Sequence, residues 1–427
     1  MAHARDTYEG ETDAAEWRPA PETLAVAEAA SACAGGPEAV ARNEAFWAVV
    51  RRAFTLDPSV VNLNTGGVNP APIPVQRAMR ELLELSNTTP AHVLWRVLEP
   101  RLEPVRRELA SVLGCGAEEV AITRNTSEGL VTCQLGFDLR PGDEVVATTQ
   151  DYPRMLATWE QLQSRAGVVL RRFRVPVPAP PAAELVRLYD AHVTPRTRLV
   201  VVPHVAHLTG QVYPVREIVH LARRRGADVL VDGAHSFANL LFSRDDLECD
   251  FYATSLHKWL GAPHGTGLLH VRRQRIAGVW PLVPAPAETA ADIRKFEAIG
   301  THPAANALAA AQALAFHRAV GAARKLARLR HLRDLWVERL AATGRVELLT
   351  DLDPGRSCGL ASFRVEGLDP ERLAEHLWSR EGILVAALTH PEVRGIRLSA
   401  GVYTTAAEID RFCAAVEGVL RRGLPAA

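Results

Sequence analysis

The chain has 427 residues, and its 49 basic side chains are balanced by 49 acidic ones, so the formal net charge is zero. This balance argues against a protein that binds nucleic acid or a membrane surface, because either partner would require an excess of basic residues. Hydrophobic residues make up 48% of the chain, which predicts a globular protein large enough for two packed domains.

The sequence shows no sign of membrane insertion or secretion. No segment reaches the roughly 18 uninterrupted apolar residues that a membrane span requires. The amino-terminal residues carry acidic side chains and no apolar core, unlike a secretory signal. The six cysteines are scattered, as is typical of reduced thiols in the cytosol. We therefore expect a soluble, cytoplasmic protein without disulfides.

In chain order, the sequence predicts an extension and two domains. Residues 1–42 are rich in Ala, Glu and Pro without a clear period, and are expected to form a loosely packed N-terminal extension. In residues 43–300, short β-branched runs alternate with segments of helical period, which predicts a large α/β domain with a mostly parallel sheet flanked by helices. Its predicted strands are residues 119–123, 144–148, 168–173, 198–203, 228–231 and 251–254.

Residues 301–427 are expected to form a separate carboxyl-terminal unit. A long linking helix is predicted from Ala304 to about Ala342, because this stretch is rich in Ala, Leu and Arg. The remainder predicts a smaller α+β domain, with strands near residues 346–349, 360–365 and 396–399.

A polar segment follows the first of the predicted strands. Residues 123–129 read Thr-Arg-Asn-Thr-Ser-Glu-Gly and open a helix, so they offer an anion free backbone N–H groups, hydroxyls and the positive end of a helix dipole. A phosphate suits this arrangement. An ordinary helix cap by Asn125 or Thr126 explains the same residues, and both interpretations stay open at this point.

Two later strands also end in residues that can carry chemistry. Asp232 lies at the mouth of a strand with a buried pattern, where a carboxylate is costly unless a cation or a strong donor meets it. Lys258 follows the next predicted strand, and an amine on a desolvated loop can have a lowered pKa and form a Schiff base. Alone, a strand-end aspartate is commonly a turn former and a lysine is commonly solvated. Their joint occurrence, with Ser255 and His257 beside the lysine, indicates a site.

A phosphate cradle, a carboxylate and an amine together suit pyridoxal 5′-phosphate (PLP), an aldehyde with a phosphate and a ring nitrogen best kept protonated. Residues 125–127 (Asn-Thr-Ser), 232–235 (Asp-Gly-Ala-His) and 255–258 (Ser-Leu-His-Lys) resemble, in order and spacing, the motifs of fold-type I PLP enzymes of the class V aminotransferase group. Within that group the chain is most similar to the isopenicillin N epimerase-like branch. The residues that carry this second resemblance are 63–67 (Leu-Asn-Thr-Gly-Gly), 151–153 (Asp-Tyr-Pro) and 300–306 (Gly-Thr-His-Pro-Ala-Ala-Asn).

The resemblance implies a role for each matching residue. Lys258 would bind PLP as a Schiff base and then move the Cα proton, Asp232 would pair with the ring nitrogen, and Tyr152 would stack on the ring. Arg397 would grip the substrate carboxylate with its planar fork. A homodimer with shared active sites is also implied, because Thr301 would reach the phosphate of the partner subunit. The other expected cofactor ligands are Asn125, Thr126, Ser127, His204, His235, Ser255 and His257, and the other expected substrate contacts are Asn64, Gly66 and Gly67.

Three further features have two interpretations each. His204 and His207 form an H-x-x-H pattern, but no third metal ligand accompanies them, so no metal is expected. His207 stands where relatives usually have asparagine near the phenolic oxygen of the cofactor, and is a candidate for altered cofactor electronics or for acid/base catalysis. His235 is a candidate for packing on the ring or for acid/base catalysis. Residues 265–267 (Gly-Thr-Gly) resemble part of a nucleotide loop but are assigned to a turn, for want of a strand before and a helix after them.

One departure from the motifs of the group argues against cysteine desulfurase activity. Cysteine desulfurases of this group carry a catalytic cysteine before the carboxylate-binding arginine, whereas residues 382–397 contain none. Cys358 lies outside that segment and is expected to be a small core residue. The resemblance implies a PLP enzyme that deprotonates Cα of an amino acid. Through the epimerase-like branch it implies a C–S lyase or an epimerase acting on a modified, possibly sulfur-containing substrate in natural-product biosynthesis. A class V aminotransferase, a decarboxylating or deaminating enzyme, and a catalytically silent PLP-fold binding module are the alternatives.

Overall fold

The computed structural model describes residues 18–424, and the remaining residues at either end lie outside this description. The strands are β1 (Val61–Asn62), β2 (Val120–Thr123), β3 (Glu144–Thr148), β4 (Val169–Phe173), β5 (Thr197–Pro203), β6 (Asp228–Asp232), β7 (Phe251–Ser255), β8 (Gly267–Val271), β9 (Val346–Leu348), β10 (Leu360–Val365), β11 (Ile383–Leu384), β12 (Ala386–His390) and β13 (Val393–Ser399).

The α-helices are α1 (Pro21–Ala32), α2 (Pro37–Ala41), α3 (Glu44–Arg52), α4 (Ile73–Ser86), α5 (Pro90–His92), α6 (Leu102–Leu113), α7 (Thr126–Gly136), α8 (Pro153–Ala166), α9 (Ala182–Asp190), α10 (Val215–Arg224), α11 (Arg244–Leu247), α12 (Arg273–Ile276), α13 (Ala304–Val320), α14 (Ala322–Ala341), α15 (Pro370–Glu381) and α16 (Ala406–Arg422). A π-helical turn, Val93–Leu98, connects α5 to a short 3₁₀ turn before α6.

The larger sheet has seven strands in the order β2-β8-β7-β6-β5-β3-β4. Its neighbouring strands are parallel, except that β8 runs antiparallel to both β2 and β7. Since β2, β5, β6 and β7 all point the same way, their carboxyl ends meet at one edge of the sheet. This arrangement confirms the predicted mostly parallel sheet and brings the polar segments that follow those strands together.

Both faces of this sheet are buried. Along β3 and β5, alternate residues enter different hydrophobic clusters: Val145 and Leu199 pack with α7 and α8, whereas Val146 and Val200 face the layer that contains α10. A strand covered on both faces must be apolar at consecutive positions, which accounts for the continuous β-branched runs of the sequence. The flanking helices confirm the expected α/β architecture.

The carboxyl-terminal part forms a smaller layer. Strands β9, β10, β12 and β13 make an antiparallel sheet in the order β12-β13-β10-β9, covered by α14, α15 and α16. The short strand β1, far earlier in the chain, pairs in parallel with β11. Residues just after β1 also bond to β13, where the Thr65 N–H donates to the Ser399 carbonyl over 2.9 Å. Residues 61–65 are therefore tied to the small domain.

The structure differs from the sequence predictions in three places. Residues 1–42 were expected to be loosely packed, yet the described part of this extension forms α1 and α2, and Val26 is fully buried against the core. The predicted long helix is broken at Gly321, whose φ of 85° ends α13 and redirects the chain into α14. Strands β1, β8, β11 and β12 were missed, and at β8 the glycines at 265 and 267 were interpreted as a turn only.

The division predicted between residues 300 and 301 stays a prediction, since α13 packs on α1, α4 and α6 of the large layer and only α14 reaches the small domain.

All six cysteines are free thiols. Cys358 is fully buried in the main hydrophobic cluster, as its predicted core role requires. No helix within residues 18–424 combines the length and the apolar character needed to cross a membrane.

The buried side chain of Lys325, on α14, makes stability depend on pH. Its ammonium group donates to the Trp259 carbonyl, and burial lowers its pKa from 10.5 to about 7. Between these two values the unfolded chain binds more protons than the folded one, so the free energy of unfolding rises with pH across this window. We expect Lys325→Met to reduce the stability gained between pH 7 and pH 9 by up to about 2 kcal/mol, as measured by urea unfolding at both pH values.

Arg324→Met is the matched control for this measurement. Arg324 neighbours Lys325 on α14 and carries a guanidinium in place of the amine. The control should leave the pH dependence of the wild type intact. An equal change in both variants would show that Lys325 is not the group responsible.

Candidate active site

Most of the predicted site residues line one cavity of about 310 Å³ at the carboxyl edge of the large sheet. Loops after β1, β2, β3, β5, β6 and β7 contribute to it, and the small domain contributes one residue from β13. The lining residues are Gly66, Gly67, Asn125, Thr126, Ser127, Leu130, Tyr152, His207, Asp232, Ala234, His235, Ser255, His257, Lys258 and Arg397.

The amino terminus of α7 forms one wall of the cavity. The Asn125 carboxamide caps the helix by accepting from the Glu128 N–H over 2.8 Å. The Ser255 hydroxyl accepts from the Thr126 N–H over 2.9 Å and lies 2.7 Å from the Thr126 hydroxyl. Two hydroxyls and the first-turn N–H groups of a helix therefore converge beside the cavity, where the helix dipole favours an anion. Asn125 is therefore the helix cap, whereas binding of a phosphate by the neighbouring residues stays a prediction.

Close backbone packing brings this wall into place. A Cβ added to Gly267 on β8 would lie 2.7 Å from the backbone of Asn125, so only glycine permits the loop after β2 to lie against β8. His257 is anchored from the same region, since its Nδ1–H donates to the Thr266 carbonyl over 3.1 Å. The segment 265–267 thus begins as the predicted turn and supports the site from behind.

Asp232, the last residue of β6, is a carboxyl group at the floor of the cavity. Its Oδ1 accepts from the Ala234 N–H over 2.9 Å. Burial raises its pKa above the ordinary value, against the opposing effects of that hydrogen bond and of the nearby Lys258 charge. Within residues 18–424 no cation forms an ion pair with it, so the carboxyl can receive a hydrogen-bonded cationic group from a ligand.

Lys258 is distinguished by the scarcity of lysine. The whole chain contains only three, Lys258, Lys295 and Lys325, and only the first lines the cavity. Lys295 and Lys325 donate instead to backbone carbonyls elsewhere. Burial, together with the charge of Arg397, lowers the pKa of Lys258 to about 8, although Asp232 opposes the shift. At pH 7 about a tenth of this amine is therefore unprotonated and nucleophilic, far more than for a lysine of ordinary pKa.

Arg397, on β13 of the small domain, is a cation without a carboxylate partner in the described part of the chain. Its Nη1 donates to the His207 carbonyl over 2.8 Å and its Nη2 to the Asn64 side chain over 3.1 Å. Its Nε–H is buried and has no acceptor. Burial lowers its pKa to about 10. An oriented guanidinium with an unused N–H edge, facing a cavity, suits a ligand carboxylate.

Two rings, those of Tyr152 and His207, lie on the side of the cavity nearest to Arg397. Their centroids are 5.7 Å apart and the rings are perpendicular. Burial and the charges of Arg397 and Lys258 hold the pKa of His207 at about 3, so its imidazole is neutral in the ligand-free cavity. Tyr152 is 39% exposed, as expected of a ring that has a free face towards a ligand.

Three of the predicted residues do not line the cavity. Asn64 lies behind it and acts only through Arg397. His204 is 5% exposed and its ring packs edge-on against Phe242 outside the cavity lining, although its backbone N–H donates to the Asp232 carbonyl over 2.9 Å. Thr301 is exposed beside a second cavity of about 270 Å³, and its predicted contact with a partner subunit stays a prediction. Among residues 18–424, no group of three or more potential metal-ligating His, Cys, Asp or Glu side chains is found.

Sequence reasoning missed Leu130 and Ala234 in the lining and Trp259 directly behind it. Leu130 follows Thr126 by one helical turn, so helical periodicity alone was enough to find it. Ala234 was included in a recognised motif without being assigned a role. The contact made by Trp259 depends on how two loops fold together, and no sequence spacing signals it.

The chain is similar to known proteins over most of its length. A family model described as aminotransferase class-V matches residues 61–412. The isopenicillin N epimerase of Amycolatopsis lactamdurans is 34% identical, with 87% of this chain and 98% of the relative covered. A protein of the same name from Streptomyces clavuligerus is 33% identical, with 88% and 98% covered.

Solved structures share the fold. The cysteine desulfurase CsdA of Escherichia coli superposes with a TM-score of 0.77 at 22% identity, over 88% of this chain and 98% of that one. A lysine-to-alanine variant of C-DES, with glycine covalently linked to its PLP cofactor, gives a TM-score of 0.75 at 25% identity, over 85% and 98%. These similarities confirm the predicted architecture.

The restriction of lysine to three positions makes covalent attachment of PLP unusually easy to map. After PLP is added and the protein is reduced with borohydride, we expect the adduct on Lys258 alone, because it is the one lysine of the three that lines the cavity. Peptide mass spectrometry measures this directly. Lys295 and Lys325 are internal controls, and modification of either one in place of Lys258 would contradict the assignment.

Proposed function

Because the chain belongs to the aminotransferase class-V family and is a PLP-dependent enzyme of fold type I, we propose that it removes the Cα proton of an amino acid and acts as an epimerase or as a C–S lyase. The observation that carries this proposal is the pairing, in one cavity, of a reactive amine, Lys258, with a carboxylate-seeking cation, Arg397. An α-amino acid carries a carboxylate that the guanidinium can bind and, on the adjacent carbon, a proton that the amine can accept.

The residues present fit the cofactor. The amino terminus of α7 with Thr126, Ser127 and Ser255 would hold its phosphate, as helix termini commonly do. Asp232, whose carboxyl has no cationic partner in the described chain, would hold the ring nitrogen. When bound, PLP supplies an electron sink that makes the substrate's Cα proton acidic.

Lys258 has the properties required to move that proton. Its pKa of about 8 lies near physiological pH, where one group can both accept a proton and return it. Arg397 would hold the carboxylate and thereby orient the Cα–H bond, since positioning supplies much of the catalysis in such sites. The small domain thus provides substrate orientation, while the large domain provides the base.

Epimerisation removes a proton from one face of Cα and delivers a proton to the opposite face, whereas elimination needs only one base and a leaving group. Besides the Lys258 amine, the cavity offers the imidazole of His207, whose ring forms no hydrogen bond with a described residue. This feature and the two epimerase relatives at 33–34% identity favour epimerisation. C–S lysis is the second candidate, since C-DES, described as a cystine C–S lyase, shares the fold at 25% identity.

The other predicted activities have less support. Transamination and decarboxylation require the same amine and carboxylate grip, but no relative named above carries either activity in its name. A catalytically silent module would not need a desolvated amine beside the arginine. The natural-product substrate, the homodimer and the contribution of Thr301 to a partner's site remain part of the proposal, and size-exclusion chromatography with light scattering tests the dimer.

Deuterium exchange at Cα tests the proposed function. In D₂O, the PLP-loaded enzyme should place deuterium at Cα of isopenicillin N or of another amino acid in a panel, because every proposed reaction begins with loss of this proton. Proton NMR measures the exchange, and chiral chromatography separates epimers. Release of a thiol and a keto acid would identify a lyase instead. An enzyme that carries PLP yet exchanges no amino acid would contradict the proposal, and Lys258→Ala is the inactive control.

Arg397→Ala tests the carboxylate grip. Truncating one partner of a buried, hydrogen-bonded charge pair costs about 2 to 5 kcal/mol, so kcat/KM should fall at least about 30-fold. Arg397→Lys should recover only part of this loss, since it keeps the charge without the planar fork.

Arg394→Ala is the matched control, because this arginine lies on the same strand but is exposed and paired with Asp369. It should behave as the wild type in steady-state kinetics. Equal effects at 394 and 397 would mean that the strand, and not the guanidinium of Arg397, matters.

A further inference from the structure

Trp259, the residue after Lys258, lies behind the cavity and has no role in the proposed reaction so far. It is 2% exposed, and its indole N–H donates to Nδ1 of His235 over 3.3 Å. No other described residue accepts from this N–H. A buried indole N–H normally requires an acceptor, so this hydrogen bond is the one that the fold provides.

Both partners of this hydrogen bond are held by other parts of the chain. The carbonyl of Trp259 accepts from the ammonium group of Lys325 on α14. The carbonyl of His235 accepts from the Asn239 side chain over 2.8 Å. The two rings meet edge-on, with centroids 6.3 Å apart and an angle of 68°. These two contacts hold the backbone from which each ring projects, and the hydrogen bond between the rings orients the imidazole.

The state of His235 follows from its surroundings. It is 3% exposed, and burial, with the charges of Lys258 and Arg397 as the next contributions, holds its pKa well below the ordinary value. The imidazole is therefore neutral and carries one N–H. Because Nδ1 accepts from Trp259, the proton resides on Nε2.

We propose that Trp259 is a positioning residue that fixes His235 in the Nε2–H tautomer, so that His235 presents a hydrogen-bond donor, and not a base, to the bound cofactor or substrate. A base at Nε2 would need the proton on Nδ1, where it would face the indole N–H. Two donors would then oppose each other in a buried place, and the indole would lose its acceptor. Protonation of both nitrogens creates the same conflict.

This assignment separates the role of His235 from that of His207. The interpretation of His235 as an acid/base catalyst is set aside, and the donor N–H is directed instead at an oxygen acceptor of the ligand. The ring of His207 has no hydrogen-bond partner among the described residues, so it is not restricted to one tautomer in this way. The tautomer stands on the structure alone, whereas the meaning of the donor for catalysis rests on the proposed function.

Nitrogen NMR of histidine-labelled protein tests the proposal, with and without added PLP. The chain has 15 histidines, and His235 is assigned by the signal lost in His235→Gln. We expect its Nδ1 to resonate as an unprotonated nitrogen and its Nε2 as a protonated one. In Trp259→Phe, which keeps the aromatic ring but loses the N–H, the preference should disappear and a tautomer mixture should form.

Trp378→Phe, which changes an exposed tryptophan on α15, is the control and should leave the His235 signals unchanged. A wild-type His235 protonated at Nδ1, or a Trp259→Phe variant with the wild-type pattern, would overturn the proposal. If Trp259→Phe does not fold, the wild-type tautomer decides alone, since an Nδ1–H form is incompatible with the hydrogen bond. Failure to bind PLP would contradict the proposed function but not the tautomer.

Discussion

The burial of unpaired charged groups around one cavity is the constraint on which this site depends. Lys258, Asp232 and Arg397 are half-buried in the cavity wall, and none of them forms an ion pair within the described chain. Each pKa is displaced towards the neutral form, mainly by burial. Such groups are costly for the fold unless a ligand meets them. A ligand that meets all three would therefore bind strongly and stabilise the folded protein.

The cavity exists because distant parts of the chain meet. The large sheet supplies Asp232 and Lys258, whereas Arg397 comes from a strand of the small sheet. The turn between β12 and β13 fastens the two units, since Glu392 accepts from the side chains of Thr149 and Gln150 over 2.9 and 3.0 Å. These two residues lie just before Tyr152, so the contact that joins the domains also places a ring at the cavity wall.

The sequence predicted the large sheet well, because strands buried on both faces leave long β-branched runs. It also identified most of the cavity, since residues that follow parallel strands must lie at one edge of a sheet. The sequence predictions failed where the hydrophobic pattern of the chain was weak. Strand β8 begins in a glycine-rich turn, and α1 and α2 carry few large apolar residues, although their burial against α13 and α14 makes them part of the core.

Sequence by itself determined the fold class, the PLP cofactor and the choice of Lys258, Asp232 and Arg397 as candidate site residues. These depend on residue types at strand ends and on motifs that retain their order. Only the tertiary structure decided which residues touch. It removed His204 from the cavity and revealed the hydrogen bond from Trp259 to His235. It also left the guanidinium of Arg397 without an opposing charge in the described chain. These facts depend on burial and on contacts between loops far apart in the chain, which local patterns do not encode.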